Sequence, residues 1–312
     1  MDRIDHTDSK FVQAGETPVL PATFMFLTRR DPPLSSFWTK VQYQRLKELN
    51  ASGEQLEMGF SDALSRDRAF QGIEHQLMSQ GKRHLEQLRT VKHRPALLEL
   101  EEGLAKALHQ QGFVQVVTPT IITKSALAKM TIGEDHPLFS QVFWLDGKKC
   151  LRPMLAPNLY TLWRELERLW DKPIRIFEIG TCYRKESQGA QHLNEFTMLN
   201  LTELGTPLEE RHQRLEDMAR WVLEAAGIRE FELVTESSVV YGDTVDVMKG
   251  DLELASGAMG PHFLDEKWEI VDPWVGLGFG LERLLMIREG TQHVQSMARS
   301  LSYLDGVRLN IN

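Results

Sequence analysis

Between Pro95 and Gly112 the chain carries its strongest periodic signal, ALLELEEGLAKALHQQG, with Leu97, Leu100, Leu104 and Leu108 at spacings of three and four. That spacing puts the four leucines on one face of a helix, and Gly112 is a stop signal. A β-branched run, FVQVVTPTII, follows at once and is interrupted by Pro119. A proline inside a strand removes a ladder hydrogen bond, so this strand must lie at an edge, bend, or end there. Further strands are expected at 142–145, 174–180, 196–204, 231–235, 268–271 and 275–279. Helices are expected at 157–169, 207–226 and 280–288. Long helices flanking antiparallel strands make an α+β fold, an antiparallel sheet covered by helices.

A chain of 312 residues, 42% hydrophobic and 26% charged, has enough apolar side chains for a core without disulfide or metal. Residues 1–34 carry Pro18, Pro21, Pro32 and Pro33 without periodicity and read as a poorly ordered extension. The run VLPATFMFL is short, contains Pro21 and is followed by Arg29 and Arg30, the wrong order for a secretory signal. No uninterrupted apolar stretch is long enough to span a membrane. Cys150 and Cys182 form no CxxC pair and read as reduced thiols in a cytoplasmic protein.

From Ser35 the pattern changes. Phe37, Val41, Leu46 and Leu49 fit one side of a short helix capped by Ser35 or Ser36. A second helix opens at Ser61, with Leu64, Phe70, Ile73 and Leu77 as its apolar face. Residues 35–94 thus form a small helical module, and 95–312 the main domain. The net charge of −8 argues against indiscriminate coating of nucleic acid, but between Lys82 and Arg94 five Lys/Arg face the single acid Glu86. Such a patch is either a solvated helix face or a phosphate-binding surface on an acidic body.

Three stretches carry chemistry. The first is the helix with Gly112-Phe-Val-Gln-Val-Val-Thr-Pro119. The second is Phe177-Glu-Ile-Gly-Thr-Cys-Tyr-Arg184-Lys-Glu186 with His192-Leu-Asn-Glu-Phe196-Thr-Met-Leu-Asn200. The third is Gly276-Leu-Gly-Phe-Gly280-Leu-Glu-Arg283-Leu. The glycines do not open a βαβ unit with an acidic residue beyond, so a dinucleotide fingerprint is excluded. Attack of a carboxylate on the α-phosphate of ATP joins two anions, so its barrier is one of positioning and charge neutralisation. Arginines, a metal and an aromatic platform suffice for it, and no nucleophilic serine or cysteine is needed.

In this order the stretches resemble motifs 1, 2 and 3 of the class II aminoacyl-tRNA synthetases. The resemblance implies ATP as substrate, Mg²⁺ as cofactor, and Arg184 and Arg283 as catalytic arginines. Arg184 would contact the α-phosphate and the amino-acid carboxylate, and Glu186 the adenine. His192 would approach the outer phosphates, with Leu193 beside it. Phe196 would stack on one face of adenine and Arg283 on the other. Gly250-Asp-Leu-Glu253-Leu-Ala-Ser256 resembles the metal-bearing strand of the class, with Glu253 and Ser256 as oxygen ligands.

Four runs look like the pyrrolysyl-tRNA synthetases: Leu151–Tyr160, Cys182–Ser187, Val240–Met248 and 250–255. This resemblance covers roughly residues 95 to 306. It implies a deep apolar pocket from Met154, Leu155, Ala156, Leu159, Tyr160 and Trp163 on one helix, with Trp274 from the strand before the third motif and Gly276 from the motif itself. Asn200 would anchor the side-chain amide of the ligand, and Tyr241 would act as a lid and bond its ring nitrogen. Cognate tRNA is the implied partner, with Lys82, Arg83 and Arg89 of the helical module as contacts. A homodimer built on motif 1 is implied as well. Archaeal members commonly carry a further N-terminal RNA-binding domain, expected here to be absent or encoded separately. Rival readings keep the fold without tRNA charging: an adenylate-forming ligase, or a paralogue that binds an amino acid without catalysis.

Overall fold

The computed structural model describes residues 36–185, 193–238, 242–291 and 293–311. Its N-terminal part opens with β1 (Ser36–Phe37), followed by α1 (Lys40–Glu48), α2 (Gly53–Leu56), β2 (Gly59–Phe60) and α3 (Ala63–Gln87). The first helix starts later than the sequence pattern implies. Ser36 belongs to β1, which pairs with β2, and the cap is Thr39, which exchanges hydrogen bonds with Gln42 in a capping box. The late start leaves Phe37 and Val41 exposed while Leu46 and Leu49 are buried. Asp62, rather than Ser61, caps α3, and Leu64 faces solvent. Phe70, Ile73 and Leu77 pack with Trp38 on the small core of Leu46, Ala51 and Leu56. A π-helical turn, Leu88–Lys92, continues α3 until His93, which adopts a left-handed backbone at φ 56°.

The predicted amphipathic helix is α4 (Ala96–Gln110), with Leu100, Leu104 and Leu108 buried. Gly112, at φ 80°, turns the chain into β3 (Val114–Gln115). That strand ends at Gln115, four residues short of Pro119, and the run resumes separately beyond the proline as β4 (Ile121–Thr123) before α5 (Lys124–Lys129). No strand forms at 142–145, where Trp144 contributes only an isolated bridge to Cys150. The strand is instead β5 (Lys149–Leu151), pairing with β4.

Next come α6 (Ala156–Leu166), β6 (Ile174–Tyr183), β7 (Glu195–Leu204), α7 (Arg211–Ala225), β8 (Glu232–Ser238), β9 (Gly242–Lys249) and β10 (Leu252–Gly260). The chain continues through α8 (Asp265–Trp268), β11 (Trp274–Gly280), α9 (Leu281–Glu289), β12 (Tyr303–Leu304) and β13 (Val307–Arg308). The strand expected at 268–271 is absent. Trp268 closes α8, and Glu269, at φ 60°, turns the chain away.

Among the described residues seven strands form the main sheet, in the order β3-β6-β7-β11-β10-β9-β8. Every pair is antiparallel except β3 with β6, and β3 lies at the edge of the sheet. Side chains alternate across a strand. Leu199 and Leu201, Val245 and Val247, and Val275, Leu277 and Phe279 therefore turn to one face and meet α4, α7 and α9 in the largest core. On the opposite face, Tyr160 and Trp163 of α6 join Trp268 and Trp274 in a second core. The rest of that second face is open.

Candidate active site

The open face is the floor of a cavity of about 520 Å³. Met198, Asn200 and Thr202 of β7, Thr244 and Asp246 of β9, and alternate residues of β11 from Trp274 to Gly280 line it. Strand register orders them. Trp274 sits opposite Leu204, Gly278 opposite Asn200, and Gly280 opposite Met198. At ~3.4 Å per residue, Trp274 and Gly280 mark ends ~20 Å apart. Glycine keeps the middle close to its neighbours: a Cβ on Gly278 would lie 2.8 Å from Asn200 Oδ1, and one on Gly276 would lie 3.2 Å from Thr202 Cγ2. Asn200 Oδ1 is buried without a hydrogen-bond partner.

The end near Gly280 is polar. Arg184 Nε donates to the Pro153 carbonyl at 2.8 Å, which holds the guanidinium 5.3 Å from the centre of the Phe196 ring. Arg283 Nη1 donates to the backbone carbonyl of Glu253 at 3.0 Å and approaches its carboxylate at 3.5 Å. Glu253 and Ser256 are three residues apart, so a regular strand would place them on opposite faces. The register of β10 against β9 shifts between Glu253 and Ala255, and Leu254 is the extra residue. This bulge returns Glu253 to the face of Ser256, and both line the cavity. Asp246 stands opposite Ser256, with Oδ1 buried and unpartnered.

Beneath this end lies Glu282, 1% exposed, whose two carboxylate oxygens accept the Thr197 backbone N–H at 2.8 and 3.0 Å. Burial raises its carboxyl pKa, and the bonds from Thr197 oppose the shift. Arg299 Nη1 donates to Thr197 Oγ1 at 2.7 Å, which further fixes the strand segment carrying Phe196. Cys182 is fully buried, and burial pushes its thiol up to about 12, consistent with chemistry that uses no thiolate.

The other end is aromatic and aliphatic: Met154, Ala156, Leu159, Tyr160, Trp163, Ala258 and Trp274. Leu155, at the N-cap of α6, is fully buried and is not among the lining side chains. A polar lock positions this helix. Asn158 Nδ2 donates to Thr118 Oγ1 at 2.7 Å and to the Pro119 carbonyl at 2.9 Å. Thr118 Oγ1 donates to Glu178 at 2.6 Å, and Glu178 forms a buried ion pair with Arg152 at 2.7 Å. The proline turn, the second-motif strand and the pocket helix are thus tied together by one polar network.

The cavity therefore gathers Arg184, Leu193, Phe196, Asn200, Glu253, Ser256, Trp274, Gly276 and Arg283 from distant parts of the sequence. Glu186, His192 and Tyr241 lie outside the described residues. Lys82, Arg83 and Arg89 do not line the cavity; they are exposed on α3 and its π turn. Arg89 is paired with Glu86 at 2.6 Å and Arg94 with Glu102, so the basic patch is weaker than a count along the chain implies. Asp246 and Glu282 also line the cavity; both lie inside the motif runs, where the sequence offers a signal for them. Nothing local in the sequence marks Met198, Thr202 or Ala258.

The family model of the tRNA synthetases class II core domain (F) matches residues 83–306. The crystal structure of pyrrolysyl-tRNA synthetase from Desulfitobacterium hafniense is 99% identical, with a TM-score of 0.86 over 89% of this chain and 100% of that one. The chain belongs to the class II aminoacyl-tRNA synthetases, in the pyrrolysyl-tRNA synthetase family. A second structure, PylSc of Desulfitobacterium hafniense, is 97% identical with a TM-score of 0.84, over 92% of this chain and 100% of its own. More remote relatives are threonine--tRNA ligases. That of Clostridium perfringens is 28% identical over 141 residues, 41% of this chain and 22% of the ligase. The match thus spans about a fifth of the curated relative's length.

Proposed function

We propose that the chain activates pyrrolysine with ATP as an aminoacyl-adenylate and transfers it to the 3′ end of its cognate tRNA. The observation that carries this reading is the polarity of one continuous cavity: arginines and carboxylates at one end, aromatic and aliphatic side chains at the other, and Asn200 between them. A nucleotide triphosphate suits the first end, and a long amino acid with an apolar tip suits the second. The amide of Asn200 would meet the side-chain amide carbonyl of the ligand. Tyr241 belongs to the same proposal as lid and donor to the ring nitrogen.

At the polar end, Arg184 would bind the amino-acid carboxylate and the α-phosphate, drawing two anions together and stabilising the charge that builds during attack. Phe196 would support one face of adenine and Arg283 the other, with Glu186, His192 and Leu193 completing the nucleotide site. Guanidinium suits both tasks because it is planar, forked and permanently charged. The donor set fits a magnesium ion. Glu253 and Ser256 share a face through the bulge, and the orphaned Oδ1 of Asp246 stands opposite Ser256. Mg²⁺ prefers such oxygen ligands and fills its shell with water and phosphate; when bound, it would neutralise the outer phosphates.

Transfer requires tRNA, for which Lys82, Arg83 and Arg89 are the proposed phosphate contacts. A homodimer built on the first motif is supported by the exposure of Val114, Val117 and Ile121 along the edge strand and its continuation. Among the described residues no helix is long and apolar enough to cross a membrane. An apolar pocket discriminates weakly among hydrocarbons, so bulky lysine carbamates should also be accepted. The test of the whole reading is formation of aminoacyl-tRNA from pyrrolysine, ATP and the cognate tRNA. Adenylate formation that never proceeds to tRNA would favour the adenylate-forming ligase instead.

A further inference from the structure

Three aromatic rings form the apolar end of the cavity, and only two of them have their polar atoms held. Tyr160 lies edge-on to Trp163 and Trp274, with ring centres 5.3 and 5.7 Å away, and stacks on Trp268 at 5.3 Å. Trp163 and Trp268 each bury an indole N–H without a partner. Trp274 Nε1, in contrast, donates to both carboxylate oxygens of Asp265 at 3.0 Å, and Tyr160 OH donates to Oδ1 of the same residue at 3.1 Å. Asp265 is 5% exposed and is not among the cavity-lining residues. Its Oδ2 also accepts the His262 backbone N–H at 2.6 Å, which fixes the carboxylate at the start of α8. Among the described residues it forms no ion pair. Its contacts are the neutral donors of the pocket wall.

The backbone is arranged for this contact. Gly260 is the register partner of Trp274, and the indole crosses it so closely that no Cβ could be accommodated there. The ring can therefore reach α8 and present its face to the cavity. Burial raises the Asp265 carboxyl pKa, and the bonds from Trp274, His262 and Tyr160 offset this. A carboxylate kept in such a place without a cation is costly unless its acceptor capacity is used.

We propose that Asp265 is a positioning residue for amino-acid selection: by holding Tyr160 and Trp274 at fixed angles it sets the width of the apolar end and so the size of side-chain cap that the enzyme accepts. This rests on the reading of that end as the amino-acid pocket. Asp265 touches no substrate and acts through the two rings.

The experiment is pyrophosphate exchange with a bulky Nε-carbamate of lysine and with Nε-acetyl-lysine, for the wild type, D265N, W274F and the double variant. Asparagine keeps the shape but offers one acceptor oxygen where two are used. The expected result is a rise in KM for the bulky substrate of about tenfold in D265N, the scale of one lost buried hydrogen bond. The KM for ATP should stay within about twofold, because the arginine end is untouched. W274F removes the N–H together with part of the ring, so its own loss includes packing, and the double variant should still fall short of the sum of the two single effects. A fall in kcat for both substrates together with a raised ATP KM, or additive single effects, would overturn the proposal by making Asp265 a general structural residue. If D265N does not fold, Y160F, which removes only the hydroxyl held by Asp265, must still change the ratio of kcat/KM between the two substrates; an unchanged ratio also overturns it. No exchange by the wild type with any lysine derivative would instead reject the pocket assignment on which the proposal rests.

Discussion

Replacing Gly278 by alanine separates the two ends of the site. The new methyl would sit 2.8 Å from Asn200 Oδ1 and 3.3 Å from the Met198 methyl. Both atoms are the ends of side chains, so they can move while the β7–β11 ladder stays in place. The cost to stability is then at the low end of overpacking, about 1 kcal/mol, or a few degrees in Tm. The cost to function is larger, because Asn200 must rotate away from the ligand it is proposed to anchor. Losing that bond while the ligand carbonyl stays buried costs about 1–3 kcal/mol, which corresponds to roughly 5- to 150-fold in kcat/KM for the amino acid. The assay is pyrophosphate exchange with an Nε-acylated lysine at saturating ATP, repeated with ATP as the varied substrate. The KM for ATP should barely change, since Phe196, Arg184 and Arg283 lie beyond the substitution. An unchanged amino-acid KM, or equal rises in both, would refute the placing of Asn200 at the junction.

Other perturbations test the supports of the site. Arg152→Ala leaves Glu178 buried and unpaired beneath the proline turn and should cost about 3–5 kcal/mol in urea unfolding, whereas the double replacement Arg152→Met with Glu178→Leu should recover most of it. His293 is 3% exposed, donates from Nε2 to the Lys47 carbonyl, and has its pKa lowered by burial. The unfolded chain therefore takes up a proton below pH 6.5 that the folded chain resists, so Tm should fall as pH drops through that range, and His293→Gln should flatten the slope. Alanine at Lys82, Arg83 and Arg89 together should weaken tRNA binding and lower its salt dependence while pyrophosphate exchange persists. Arg89 alone should contribute least, because Glu86 already holds it.

The long periodicity of Leu100, Leu104 and Leu108 is legible as α4, and Pro119 lies in the break between β3 and β4, whereas the shorter patterns at Phe37, Val41 and Leu64 leave those residues in solvent. Non-local features were hidden. Glu253 and Ser256 could be named together by resemblance, but only the bulge at Leu254 explains how residues three apart in a strand share a face. The strand β9 escaped notice because Thr244 and Asp246 turn polar groups toward the cavity. Trp268-Glu-Ile-Val271 alternates like a strand, yet the left-handed turn at Glu269 makes it the exit of a short helix. The basic patch was overcounted because Glu102, the partner of Arg94, lies on the next helix. Asp265 was missed because its role depends on Tyr160 and Trp274, which only the tertiary fold brings together.

The most direct measurement is pyrophosphate exchange with pyrrolysine or an Nε-acylated lysine, compared with lysine and phenylalanine, with and without cognate tRNA. The account predicts exchange with the lysine derivatives alone, followed by their transfer to tRNA. Exchange driven by phenylalanine or free lysine, with none from the derivatives, would contradict it.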